Sequence, residues 1–143
     1  MMIEEPSPHP HDQVVDSDPE VLDLASRVVG SACREKLWGL FLGHDLKPVR
    51  LIVPIDDLPP RPDRRLVENA VHALAEILRM LGGGSVLLVR ERPGPPGIGP
   101  IDAEWAQALR SAFAATGAPL RAILLSHDSG VRMFPPPFQG PDT

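Results

Sequence analysis

Cysteine, tyrosine and long apolar runs are scarce or missing in this chain. One cysteine, Cys33, stands among 143 residues. That excludes an internal disulfide and a zinc site built from several cysteines. Tyrosine is absent, and two tryptophans with four phenylalanines complete the aromatic set. Trp38 and Trp105 fall at core positions of a strand and a helix, so a platform for stacking bases is not expected. No apolar run approaches the ~20 residues of a membrane-spanning helix. Cationic excess is missing as well: the net charge is −5, which gives no general attraction for phosphate backbones or anionic lipid. Neither nucleic acid nor membrane is expected as a partner. The N-terminus is acidic and proline-rich, unlike a secretory signal, so a cytoplasmic protein is expected. No G-x-S-x-G, Walker loop or C-x-x-C occurs, and Gly82-Gly83-Gly84 precedes a strand, the wrong order for a phosphate loop. The H-x-E and P-C-x-x-C pair of zinc deaminases is missing too.

Proline is abundant instead, at 18 residues, and it marks the boundaries. Residues 1–17 are polar with Pro6, Pro8 and Pro10, and read as a flexible N-terminal arm. His9 and His11 in it read as a surface pair. Residues 18–134 carry the periodic patterns of one domain, and 135–143 form a proline-rich tail with Pro135-Pro136-Pro137-Phe138. Within the domain, Asp18-Pro19-Glu20 starts a helix over 19–29. Lys36–Leu42 (KLWGLFL) is a continuous apolar run, the pattern of a central strand. Pro48–Ile55 pairs with it as a hairpin, and Pro54 puts this strand near an edge or marks the strand's own end. Apolar residues at three- and four-residue spacing predict a long helix over Asp63–Leu81. Ser85–Arg90 is a buried strand. Asp102 is expected to cap a helix over Ala103–Thr116, and strands follow at Leu120–Ser126 and Val131–Phe134. The order is α-β-β-α-β-α-β-β: an α/β fold with a single mixed β-sheet flanked by helices.

Ser85–Glu104 (SVLLVRERPGPPGIGPIDAE) organises the rest. It joins a strand, a stiff Pro/Gly loop and a helix start, with Arg90 and Arg92 alternating at the strand's end. Arg34–Leu42 (REKLWGLFL) looks like R-E-x-F-x-V-L-x-L. Val86–Gly94 looks like a strand followed by H-N-H-P-S-G, and Gly99–Glu104 like T-P-S-x-x-D with one loop residue inserted. Gly117–Phe134 tracks G-x-x-L-x-D-H. Over roughly Arg34–Phe134 the chain thus resembles the JAB/MPN (JAMM) superfamily, RadC-like branch. The resemblance implies that fold, or a cytidine-deaminase-like α-β-α arrangement. In the active family two His and an Asp bind zinc and a Glu moves protons for amide or isopeptide hydrolysis. Here the two His fall on Arg90 and Arg92, the Asp on Glu104, the Ser on Ile101 and the Glu on Glu35. Arginine offers donors only and cannot ligate zinc.

The resemblance therefore implies a pseudoenzyme: a non-catalytic interaction or scaffold module, without metal or cofactor, bound to a protein partner or a second copy of itself. Glu35 is the one retained catalytic candidate. Arg90, Arg92 and Glu104 are the candidate ligand-binding set. The arginines are expected to pair with Glu104 or Glu35 in a salt-bridge network that replaces the metal. Two alternatives stay open. One is a metal-dependent hydrolase with a rearranged site, using Glu35 with Asp102, Glu104 or a turn histidine. The other is an anion- or peptide-binding module using Arg90 and Arg92. His44 and His127 fall in turns beside Asp45 and Asp128, and His72 on a helix flank; all three read as local polar residues. Cys33 reads as a buried or edge thiol rather than a nucleophile.

Overall fold

Proline and glycine punctuate the chain where the elements change, and the expected element order is the observed one. The computed structural model describes residues 13–135. The elements are α1 (Asp18–Val28), β1 (Lys36–Leu42), β2 (Pro48–Ile55), α2 (Arg64–Met80), β3 (Ser85–Glu91), α3 (Pro100–Thr116), β4 (Leu120–His127) and β5 (Gly130–Met133). They form one α/β domain with a five-stranded mixed sheet in the order β2-β1-β3-β4-β5. Only β3 and β4 run parallel; the other neighbours are antiparallel. The apolar run of β3 places it at the centre of the sheet, and β2, with Pro54, is an edge strand.

Alternation along the strands divides the core in two. On one face Leu37, Phe41, Val86, Leu88, Ile123 and Leu125 pack against Val71 and Leu74 of α2 and against Trp105, Leu109 and Phe113 of α3. On the other, Leu40, Leu87, Val89 and Leu124 meet Val21, Leu24 and Ala25 of α1. Burying each such aliphatic side chain contributes about 1.5–3 kcal/mol. Gly39 lets α2 approach β1 closely: a Cβ there would lie 2.7 Å from Leu74. Gly84 turns the chain from α2 into β3 at φ +119°, where a Cβ would collide with the Leu42 carbonyl.

Three local expectations are corrected. Ser17, not Asp18, caps α1, accepting the Glu20 N–H at 3.4 Å. The segment leading into α1 also belongs to the fold: Val15 is buried and its N–H donates to Leu46 O at 2.7 Å, because an apolar side chain and a hydrogen-bonded backbone outweigh the polar neighbours. Finally, α3 starts two residues before the expected cap. Pro100 fits its first turn, Gly99 is the N-cap, and Asp102 occupies the third helical position. That shift determines what Asp102 can touch. His9 and His11, and residues 136–138 of the tail, lie outside the described residues.

Candidate functional site

The carboxyl ends of β3 and β4 meet the N-terminus of α3, and the loop between β3 and α3 folds over them. The ladder continues one residue past β3, where the Arg92 N–H donates to Ser126 O at 3.0 Å. Arg90 and Arg92 therefore share the period-two face that looks toward α3. Glu91 points to the opposite side.

Asp102 is the common partner of both arginines. Arg90 donates Nε–H to Asp102 Oδ1 at 3.0 Å. Arg92 donates Nε–H to Oδ1 at 3.1 Å and Nη2–H to Oδ2 at 2.8 Å. The Gly99 N–H adds a fourth bond, to Oδ2 at 2.9 Å, and closes the helix cap. A carboxylate has about four lone-pair sites, so this one is saturated. The helix dipole also favours an anion in the first turn of α3. Arg90, Arg92 and Asp102 are all buried. Burial pushes the Asp102 carboxyl up, but the bonds from Arg92, Gly99 and Arg90 outweigh it and bring the pKa down from 3.8 to about 2.

Arg92 also fastens the loop. Its Nη1 donates to Pro95 O at 2.7 Å and its Nη2 to Gly97 O at 2.9 Å. Arg132 reaches Pro96 O at 3.3 Å. Gly94 and Asp128 exchange two bonds, Gly94 N–H to Oδ1 at 2.9 Å and Asp128 N–H to Gly94 O at 3.0 Å. The prolines limit the loop's unfolded states and the arginines satisfy its carbonyls. Arg90 stands differently. Its guanidinium lies over Trp105, 5.3 Å from the ring centroid, and the Trp105 Nε1–H is held by Pro60 O at 2.9 Å.

The expected network exists with a different acid. Glu104 is exposed and pairs with Arg61 at 3.3 Å. Glu35 is exposed ahead of β1, and among the described residues it forms no hydrogen bond or ion pair with the cluster. Helix periodicity explains this: Asp102 continues the buried stripe of Trp105, Leu109 and Phe113, while Glu104 lies two residues round the helix. Ile101, at the Ser position of the resemblance, is exposed.

Glu91 anchors the other face. It accepts the N–H groups of Cys33 at 2.6 Å and Arg34 at 3.2 Å, and the Trp38 Nε1–H at 2.9 Å. Burial raises its pKa, yet the donors from Cys33, Trp38 and Arg34, with Lys36 nearby, lower it on balance. The candidate set of Arg90, Arg92 and Glu104 left out this role of Glu91; strand alternation was the signal. Cys33 itself is exposed, because its backbone rather than its thiol is what the sheet holds.

The histidines do not converge. His44 is exposed in the β1–β2 turn, with Nε2 3.0 Å from Gly82 O. His72 is exposed on α2. His127 is not in a turn but ends β4, buried, with Nδ1 accepting the Ser129 N–H at 3.2 Å. His44 and His127 belong to opposite ends of β3. Among the described residues no three His, Cys, Asp or Glu side chains form a group suited to a metal. The cluster does not fit one either: its only carboxylate is saturated, and arginines are donors. A separate groove of about 1130 Å³ runs between α2 and α3, floored by Ala75, Ala108, Ala112 and Ala115 and rimmed by His72 and Arg79. It shares no residue with the cluster.

Compared with protein-family models and with curated proteins, the chain gives no match.

Proposed function

We propose that this chain is a non-catalytic relative of the RadC/JAB-like proteins, an interaction or scaffold module of the cytoplasm that works with a protein partner or a second copy of itself. In this reading the ion-pair cluster takes the structural place of a metal, tying the end of β3 to the start of α3. The supporting observation is that Arg90 and Arg92 both donate to Asp102. These two arginines stand at the positions where the resemblance puts zinc-binding histidines. Two fixed guanidiniums repel a dication, and the one acid between them has no lone pair to offer.

The test is metal content. Purified protein is incubated with zinc, dialysed against zinc-free buffer, and assayed for metal and for isopeptide hydrolysis. Zinc far below one per chain and no turnover are expected. Stoichiometric zinc would overturn the reading.

A further inference from the structure

The two arginines do unequal work, and the difference points to a ligand. Arg92 spends all three guanidinium nitrogens on protein acceptors: Nε and Nη2 on Asp102, Nη1 on Pro95 O, and Nη2 again on Gly97 O. Arg90 spends only Nε, on Asp102 Oδ1. Among the described residues its terminal Nη1 and Nη2 meet no acceptor. Yet its side chain is only 7% exposed. Buried arginine donors without acceptors are costly, and the indole face of Trp105 engages the plane of the group rather than its N–H edges.

A guanidinium presents two forks, one through Nε and an Nη, the other through both Nη atoms. Arg90 turns the first toward Asp102 and leaves the second unpartnered. The group sits past the carboxyl ends of β3 and β4, the parallel pair of the sheet, beside the N-terminus of the 17-residue α3, the end of parallel strands at which α/β sheets bind ligands. Charge sets the ligand class. Two arginines against one carboxylate leave the cluster one positive charge in excess. A monoanion cancels it, whereas a phosphate dianion overshoots. The free fork also matches a planar carboxylate in two parallel bonds.

We infer that Arg90 takes a carboxylate-bearing monoanion end-on through Nη1 and Nη2, with Trp105 against its face and the Arg92–Asp102 pair as fixed support. This rests on the non-catalytic reading of the cluster and names the ligand that the cluster binds. Arg92 is a positioning residue, and Arg90 makes the contact.

The probe is acetate, titrated into the full chain at constant ionic strength against chloride and followed by the ¹⁵N-¹H resonances of the arginine Nε groups and of the Trp105 indole, which lies beside the Arg90 guanidinium. A saturable shift of the Arg90 resonance is expected, in the millimolar range for one fork-to-fork contact, with Arg92 moving little. In Arg90→Lys the binding read at the Trp105 indole should weaken at least about tenfold, because an ammonium lacks the fork. Arg90→Met, with the Arg92 resonance as its check of folding, should abolish the acetate-dependent shift of the Trp105 indole. A shift that only tracks salt, or an unchanged response in Arg90→Met, would overturn the inference. Phosphate binding more tightly than acetate would overturn the carboxylate class. Zinc content is read separately, so a failed acetate titration leaves the non-catalytic reading standing, and zinc binding defeats that reading whatever acetate does.

Discussion

Arg92 and Asp102 meet side-on, Nε to Oδ1 at 3.1 Å and Nη2 to Oδ2 at 2.8 Å. This forked geometry is the one that distinguishes arginine from lysine. It joins the last ladder residue of the central strand to the third residue of α3, and through Pro95 O and Gly97 O it holds the loop between them.

The pair should therefore fail the most conservative change. Arg92→Lys keeps the charge but loses the fork and at least one loop carbonyl, at a cost of about 2–3 kcal/mol in urea unfolding. Arg61→Ala removes the exposed partner of Glu104 and should change stability by less than about 1 kcal/mol. Equal costs for the two would mean that burial is not what gives the cluster its weight.

Acid should expose the role of Asp102. Its folded pKa, about 2, lies below its ordinary value of 3.8. A depressed carboxylate stabilises the fold above the unfolded pKa, and that contribution is lost as pH falls through the folded one. In the wild type a loss of about 2 kcal/mol between roughly pH 4 and pH 2 is expected from Asp102. Urea unfolding across that range should show this loss in the wild type and not in Asp102→Asn.

Much of this was legible in the chain. β1 and β2 have the bounds that their apolar runs and prolines indicate, and β2 lies at the edge with Pro54 near its end, both places that a strand proline allows. The acid that completes the cluster was not read, although the signal existed. Asp102, Trp105, Leu109 and Phe113 share one helical stripe, and Glu104 leaves it. Counting the helix from Pro100 rather than from Ala103 would have turned Asp102 from a cap into a buried partner. The role of Glu91 likewise follows from alternation with Arg90. The groove between α2 and α3 was not legible, because it depends on how far two helices separate over an alanine floor.

Glu91 offers a check on the opposite face. Glu91→Gln weakens its acceptor set toward the N–H groups of Cys33 and Arg34 and the Trp38 indole. Faster amide exchange at Cys33 and Arg34 is expected, with a loss of about 1–3 kcal/mol. Unchanged exchange at those two amides would show that the contact does not hold the segment ahead of β1.

The most direct measurement is the equilibrium unfolding of Asp102→Asn beside the wild type in urea, near neutral pH. The substitution keeps the shape of the side chain but leaves Arg90 and Arg92 buried without their shared counter-charge. A loss of about 3–5 kcal/mol is expected, with Asp102→Glu as a milder companion should the asparagine variant not fold. Stability within about 0.5 kcal/mol of the wild type would contradict the claim that this carboxylate ties the two arginines into a structural cross-link.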